Sequence, residues 1–401
     1  MLRIFVLGHI AACLLFADTL RVTTYNILNF PSASGTERLD DLRCVLEYID
    51  PDVLVVQEIE SQVGVDLVRD SVLNVHTIQY ESVPLHDGPD TDNALFYRSE
   101  RIEQVWSYYL PTPNRDIAEY RLVVDGGYEL YLYSVHLKSS PGDTNELMRL
   151  AETTILRNHI DNLDQGTNVI VAGDFNFYRS TEPAYEMLTG DVPHVYSRLY
   201  DPLFADGAWH DNISFAAFHT QSARDTMLPD GGAGGGLDDR FDMILCSESM
   251  LERTGLYLEQ STYVTCGNDG NHFNLAVNDG VNTAVPIDIA DALYYATDHL
   301  PVTVSIVYAL DDNIARPSLK IWPNPMDTEA HILFPWHDHF LRAEVHVSDI
   351  TGRSVFSQEV NSSEGVTLRN SGFAVGIYFV TAVLHTIYNT YTYHAKLAVT
   401  K

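Results

Sequence analysis

The sequence predicts an α/β protein of packed layers with a small β-sandwich behind it, and three observations carry that expectation. Strand-like apolar runs alternate with helix-like stretches through residues 20–310, a pattern that builds sheets covered by helices. The strand-like runs end on a restricted set of polar residues: carboxylates, carboxamides and imidazoles. The composition then changes near residue 311. The formal charge is −31, yet residues 316–401 carry 7 Lys+Arg against 7 Asp+Glu, so the whole excess lies in residues 1–315.

The first residues, MLRIFVLGHIAACLLFA, combine Arg3, an apolar stretch from Ile4 to Phe16 and a small residue at Ala17, which predicts a signal peptide over 1–17. IAAC at 10–13 also resembles a lipoprotein processing box with Cys13 as the lipid-bearing residue, but the apolar region before it is very short. A retained membrane anchor is disfavoured by the same shortness, and no other segment approaches a membrane span. LRVTTYNILNF (20–30) alternates and is β-branched, so it predicts a strand. Ser34 and Glu37 fit a capping box ahead of a helix with Leu39, Leu42, Leu46 and Ile49 on one face, stopped by Pro51. DVLVVQEIE (52–60) is a core strand ending on Gln57 and Glu58. DNALFYRS (92–99) and YELYLYSVHLKS (128–139) are further strands, the second ending on His136 and Lys138. Residues 143–163 predict a helix that leads into NVIVAGDFNFY (168–178). There a run with both faces covered meets Asp174 and Asn176, and a buried charge needs a partner or a metal. DRFDMILCS (239–247) follows the loop DGGAGGG, which lacks the ending of a phosphate loop and predicts a flexible surface connection. ATDHLPVTVSIVYAL (296–310) is the last strand of the first unit, with Asp298 and His299 at its start. The boundaries that follow are 18–310 for the first unit, DDNIARPS (311–318) as a linker, and 319–401 for the sandwich.

Outside the signal only Cys44, Cys246 and Cys266 remain. Export permits a disulfide, and Cys246–Cys266 is the one pair close in sequence.

The residues at the strand edges are Asn26, Glu58, His136, Asp174, Asn176, Asp242, Asp298 and His299. Each is unremarkable alone; together they are the groups that phosphate ester hydrolysis requires. A hard divalent cation takes carboxylate oxygen, and Glu58 is the first choice. Asp174 suits the task of accepting a proton from the attacking water. Asn176, His136 and His299 can donate to the phosphoryl oxygens, and Asp242 can orient His299. The acidic first unit argues against loose, charge-driven binding of nucleic acid or membrane, and no basic stripe is present. A bound cation would reverse the local sign, so a phosphate substrate stays possible.

TYNILNF, VVQEIE, VHLKS, AGDFN, RFDMIL and TDHLP occur in this order and together resemble the endonuclease/exonuclease/phosphatase superfamily, over residues 20–308. That is the fold of pancreatic deoxyribonuclease and of the abasic-site endonucleases. The resemblance implies a four-layer α/β/β/α sandwich and an enzyme that hydrolyses phosphate esters by direct water attack. It assigns Glu58 and Asp298 to a divalent metal, with Asn26 orienting that site, and Asp174 and Asn176 to the water and the phosphate. His136 becomes a contact to the scissile phosphate and Asp242 the partner of the catalytic His299. Mg²⁺ is the implied cofactor, with Mn²⁺ or Ca²⁺ as alternatives. FHTQSARD (218–225) and GNDGNHFN (267–274) are similar to stretches of exported bacterial members labelled as nucleases. Lys138, His219 and His272 are the further substrate-binding candidates, the two histidines weighed equally against surface roles. The expected activity is a nuclease on extracellular DNA or RNA, working as a monomer. Its rivals are a sphingomyelinase-like or phosphatase activity on the same fold, and a surface binding protein without catalysis. A basic groove beside His136 would favour the nuclease; an exposed apolar loop would favour the lipid enzyme.

IWPNP, VSDITGRSV, SGFAVGIYFV and the final AKLAVTK are similar to the C-terminal sorting domain of the type IX secretion system of Bacteroidetes. This implies export through the periplasm to the cell surface or beyond, with that secretion machinery as a partner. A generic carbohydrate-binding or adhesion sandwich is the alternative.

Overall fold

The computed structural model describes residues 16–400, apart from positions 34, 78, 126, 165, 254, 364 and 371 and segments 192–196, 311–318, 335–339 and 387–389. Residues 1–15 of the expected signal peptide, Cys13 with them, and the expected linker lie outside the described residues. Two compact units divide the chain, 1–311 and 312–401.

Among the described residues the first unit has twelve strands: β1 (Phe16–Phe30), β2 (Val53–Ile59), β3 (Tyr80–Ser82), β4 (Asp92–Arg98), β5 (Ile102–Leu110), β6 (Ile117–Val124), β7 (Tyr128–His136), β8 (Val169–Asp174), β9 (Leu199–Tyr200), β10 (Asp242–Ser247), β11 (Leu256–Thr265) and β12 (Val302–Leu310). Its helices are α1 (Leu39–Ile49), α2 (Gln62–Leu67), α3 (Asp143–Ile160), α4 (Pro183–Thr189) and α5 (Ile287–Ala296). The strands form two six-stranded sheets, ordered β11-β12-β1-β2-β4-β3 and β5-β6-β7-β8-β10-β9. Each sheet holds one parallel pair, β1 with β2 and β7 with β8, and the crossovers carry α1 and α3. A parallel pair needs such a crossover, and it brings both strands' C-terminal ends to one edge.

Period-two alternation sorts the side chains into three apolar layers. Leu20, Val22, Val53, Val55, Leu130, Leu132, Ile170, Ala172, Ile244, Val302 and Val304 fill the space between the sheets. Tyr25, Ile27, Leu54 and Val56 face the other way, toward Leu42, Leu46, Ile49 and Leu293 of α1 and α5. Val169, Val171, Tyr133 and Val135 pack on Leu156, Ile160 and Leu188 of α3 and α4. Helix, sheet, sheet and helix follow one another, the four-layer arrangement expected from the resemblance.

Several local expectations need correcting. The helix at 39 is preceded by Arg38 with no side-chain cap and by a short 3-10 turn over Gly35–Glu37, while Ser34 of the expected capping box lies outside the described residues. It ends at Asp50 in the left-handed region, one residue before Pro51. Cys246 and Cys266 are buried free thiols, so the expected bridge is absent; burial pushes both up to about 12. β12 starts at Val302, which leaves Asp298 and His299 in the approach to the strand. β5, β6 and β11 did not announce themselves, because charged, amide and hydroxyl groups interrupt their apolar residues, and β5 and β11 bury few positions while β6 buries most of its own.

In the second unit β13 (Lys320–Trp322), β14 (Glu329–Leu333) and β17 (Gly365–Arg369) make one antiparallel sheet. β15 (Phe340–Asp349), β16 (Ser354–Val360), β18 (Gly376–Thr386) and β19 (Thr390–Val399) make the other. Alternate residues such as Val345, Val347, Val380, Ala382, Ala330 and Ile332 bury one shared core, as a small sandwich requires.

Candidate active site

The inward stripe that fills the inter-sheet layer turns polar at one end of every central strand. On β1 it runs Leu20, Val22, Thr24, Asn26; on β7, Leu130, Leu132, Ser134, His136; on β8, Ile170, Ala172, Asp174; and β10 enters the layer at Asp242. His136 pairs with Asp174 in the parallel register of β7 and β8, and Asp242 pairs with Asp174 in the antiparallel register of β10. Gly173 permits that close approach, since a Cβ there would stand 2.0 Å from the Val135 carbonyl oxygen. Glu58 falls on the opposite parity, but its φ of +61° turns the chain at the end of β2. Its carboxylate thus accepts from Asn26 Nδ2 at 3.0 Å and from the Asn29 backbone N–H at 3.0 Å.

These residues form one cluster. Asn26 Nδ2 also donates to Asp174 Oδ2 at 3.1 Å. His136 Nε2 lies 3.5 Å from Asp174 Oδ2 and 3.8 Å from Glu58 Oε1. His299 Nε2 lies 3.9 Å from Asp174 Oδ2, while its Nδ1 is 2.7 Å from Asp242 Oδ2. The Asn176 backbone N–H donates to Asp174 Oδ1 at 3.1 Å, and its side-chain nitrogen donates to the Leu137 carbonyl at 3.2 Å. Asn176 also takes a left-handed φ of +53°, which directs the chain away from β8 immediately after the carboxylate.

The electrostatics follow from burial in a layer with few cations. Burial and the neighbouring Asp242 and Glu58 push Asp174 up to about 7, against the opposing pull of His299 and Asn26. Burial holds His136 well below the ordinary imidazole value, with Arg115, His299 and Lys138 acting the same way. Burial opposes charge on His299 too, but Asp242, Asp298 and Asp174 outweigh it and raise that ring well above the ordinary value. Two imidazoles in one pocket are therefore driven to opposite protonation states. His136 Nδ1 and Asp242 Oδ1 are buried without a hydrogen-bond partner among the described residues.

A polar floor lies beneath the cluster and joins the two sheets. Thr24 donates to Gln57 at 3.1 Å, Gln57 to Ser134 at 3.0 Å, and Ser134 to Asn93 at 2.9 Å. Arg38, 4% exposed, donates to the carbonyls of Ile27, Leu28 and Ala296, which fixes the end of β1 against the end of α5. The glycine-rich loop is clamped rather than loose. Arg224 is fully buried and holds Asp230 with two bonds of 3.0 Å, and the Ala233 N–H donates to Asp298 Oδ2 at 2.6 Å. Gly232 passes so close that a Cβ would meet the Asp298 carboxyl carbon at 2.9 Å.

Of the residues singled out in the sequence, Asn26, Glu58, His136, Asp174, Asn176, Asp242 and His299 come together. Asp298 sits beside them, but its carboxylate accepts from Ala233, from Gln221 Nε2 at 3.1 Å and from Thr297 at 3.3 Å. Lys138 is half-buried two residues beyond His136, with Nζ on the Ser139 carbonyl at 3.1 Å. His219 and His272 belong neither to the cluster nor to the surface. His219 is fully buried on the Trp209 carbonyl at 2.8 Å, and His272 is 3% exposed on Asp269 at 2.8 Å. Gln221 was missed: its Nε2 stands 2.6 Å from His299 Nε2. That contact suits the neutral ring, and the amide must turn its oxygen inward when the ring is protonated. Gln221 lies in a loop segment without periodicity, so only the quoted FHTQSARD stretch could have pointed to it. Among the described residues, one imidazole–carboxylate group has ligand atoms all within 4.8 Å of one another: His210, Asp238 and Asp239.

Two sheets packed face to face, with carboxylate, amide and imidazole groups gathered at one end of the layer between them, define a metal-dependent phosphoesterase. The chain belongs to the Endonuclease/Exonuclease/phosphatase family, whose profile matches residues 23–262. A Secretion system C-terminal sorting domain matches residues 320–392, and that tail indicates export by the type IX machinery to the cell surface or exterior. Two crystal structures of TDP2 from D. rerio are similar in fold, one humanized by 14 mutations and one complexed with a single strand DNA product. Each has a TM-score of 0.50 and covers 72% of this chain and 98% of its own, at 17% and 16% identity respectively. No curated protein sequence matches the chain. Among the described residues, no helix is long and apolar enough to cross a membrane.

Proposed function

We propose that the protein is an exported phosphodiesterase that cleaves extracellular nucleic acid by direct attack of water on phosphorus. The observation that carries this reading is the convergence of Asn26, Glu58, His136, Asp174, Asp242 and His299 at one edge of the inter-sheet layer. The donor set fits a hard divalent cation, Mg²⁺ first. The Glu58 side chain is 17% exposed and keeps lone pairs beyond those used by Asn26 and Asn29. A cation held there supplies a Lewis acid toward a phosphoryl oxygen and a template for the substrate. Glu58 would hold it, with Asn26 orienting that carboxylate. We assign Asp298 to holding the 230–236 loop beside His299, since its carboxylate accepts from the Ala233 N–H at 2.6 Å and from Thr297 at 3.3 Å.

Asp174 is the general base: a carboxylate raised toward neutrality by burial accepts a proton from water more readily than an ordinary one. The Asn26 amide and the Asn176 N–H fix both of its oxygens. His299, charged and anchored by Asp242, donates toward the phosphoryl oxygens, where negative charge builds. His136 stays neutral; with Nε2 facing the two carboxylates, that atom carries the proton and can donate to the same group. No covalent intermediate is required, because no activated side-chain nucleophile is needed beside a positioned water.

Arg115 and Lys138 favour a nucleic acid over a lipid. Arg115 reaches the carbonyl of Leu137, next to His136, at 3.5 Å while pairing with Asp90 at 2.7 Å, and Lys138 follows His136 by two residues; a chain of phosphates needs cationic contacts flanking the reacting one. The test uses the purified full chain with DNA, RNA, a model diester, a monoester and sphingomyelin, each with Mg²⁺ and with chelator. Metal-stimulated cleavage of DNA or RNA, lost in Asp174→Asn with the fold intact, is the expected result. Cleavage of sphingomyelin or monoester alone, or no metal-stimulated hydrolysis at all, would refute the reading.

A further inference from the structure

The unit that must receive a polyanion carries the entire net charge of −31, and the cluster just described offers one cation site at its centre. A second group of ligand-type side chains lies on the loops beside it. We propose that His210, Asp238 and Asp239 bind a second divalent cation of the Zn²⁺ type, at a site separate from Glu58.

His210 Nδ1 stands 2.8 Å from Asp239 Oδ1, and Asp238 completes a group whose ligand atoms all lie within 4.8 Å of one another. The backbone holds these residues before any ion arrives. The N–H groups of Asp238 and Asp239 both donate to the Gln221 carbonyl at 2.9 Å, and the Asp239 carbonyl accepts from Thr220 and Gln221. The Asp211 N–H donates to the Asp238 carbonyl at 2.9 Å, which ties the His210 loop to the same segment. Ligands placed by such fixed backbone need little reorganisation on binding.

The adjacent cation does not neutralise the pair. Arg240 follows Asp239 directly, yet it is 1% exposed and turns inward to hold Asp201 with bonds of 2.7 and 2.9 Å. Among the described residues no lysine or arginine pairs with Asp238 or Asp239. Two neighbouring carboxylates are thus left facing one imidazole, and the His210 side chain is 53% exposed, so the site is open to an entering ion. An imidazole with two carboxylates is a donor set for Zn²⁺, whereas Mg²⁺ and Ca²⁺ take oxygen throughout. Three protein ligands also leave a coordination position open.

The location gives that open position a use. The Tyr178 ring lies 5.4 Å from the His210 ring, edge-on, and the Gln221 backbone bridges both Asp239 and His299, whose Nε2 is 3.9 Å from Asp174 Oδ2. The ion would therefore sit on the lip of the Asp174 pocket and offer a positive foothold to a phosphate flanking the reacting one. This role rests on the reading proposed above; the binding of the ion does not.

The experiment is calorimetric titration of the full chain with ZnCl₂, comparing wild type, Glu58→Gln, His210→Ala and Asp238→Asn, with thermal unfolding as the fold control. Glu58→Gln should retain the proposed equivalent. His210→Ala and Asp238→Asn should each lose one equivalent, or weaken it by at least about tenfold. Wild-type isotherms in both loop variants would overturn the proposal, as would loss of the same equivalent in Glu58→Gln. Failure of the hydrolysis reading would leave these isotherms untouched, so the two ideas fail separately.

Discussion

Replacing Asp242 by asparagine separates chemistry from folding. The carboxylate makes one side-chain bond, to His299 Nδ1 at 2.7 Å, and its other oxygen is buried without a partner. A hydrogen bond to a charged group contributes ~1.5–3 kcal/mol. If that stabilisation serves the imidazolium at the phosphate, its loss at about 1.4 kcal/mol per factor of ten lowers kcat ~10–150-fold. Folding has little to lose: asparagine keeps an oxygen for Nδ1 and removes a buried charge that is only half satisfied. The assay is kcat and KM on a model diester at saturating Mg²⁺, beside thermal unfolding of the same preparation. The expected result is a lower kcat, a KM within about twofold of wild type and an unchanged unfolding midpoint. A kcat within about twofold of wild type would refute the role of the pair, and so would a loss that merely tracks unfolding.

Glu58→Gln should raise the half-saturating Mg²⁺ concentration at least about tenfold, measured by activity against metal concentration; an unchanged curve would remove Glu58 from the metal. Gly173→Ala should destabilise by ~2–3 kcal/mol, read from the denaturant midpoint, because the new methyl would stand 2.0 Å from the Val135 oxygen; a wild-type midpoint would contradict the packing. Asp201→Asn should cost ~3–5 kcal/mol at neutral pH by stranding buried Arg240. Burial acts to raise the Asp201 pKa, but Arg240 outweighs it and holds the carboxyl below its ordinary value. Its stabilisation is therefore complete above the unfolded-state carboxylate pKa and fades as pH falls through the lower folded value. The stability gap between wild type and Asp201→Asn should close in that acid range; a gap independent of pH would count against the ion pair.

The strands that carry the site were legible because each joins an apolar stripe to a polar end. β1, β2, β7, β8 and β10 show this in TYNILNF, VVQEIE, VHLKS, AGDFN and RFDMIL, and parity along the strand puts Asn26, His136 and Asp174 on the inward face. Parity fails at Glu58, where only the left-handed turn returns the carboxylate to the cluster. What the sequence hid are contacts made by loops. Gln221, Arg224 and the 230–236 loop have no period, and their roles depend on chain segments more than 60 residues away, as in Gln221 to Asp298 and Arg224 to Tyr294. His219 and His272 misled for the same reason, since a histidine in a loop motif does not disclose whether a carbonyl or a carboxylate already holds its ring.

The cluster also bears on stability. Leu28 (φ +48°), Asn29 (φ +40°), Glu58 (φ +61°) and Asn176 (φ +53°) all occupy the left-handed region, which costs roughly 1–3 kcal/mol for each non-glycine residue. Four such residues together approach the ~5–15 kcal/mol by which a typical domain is stable. They persist only if surrounding contacts over-determine them, and those contacts are visible. Arg38 takes the Leu28 carbonyl, Glu58 takes the Asn29 N–H, and Asp174 takes the Asn176 N–H. Two of these three acceptors are the carboxylates proposed to hold the metal and accept the proton. The same hydrogen bonds that aim Glu58 and Asp174 thus keep the strained turns closed, so the chemistry and the local backbone cannot be altered independently.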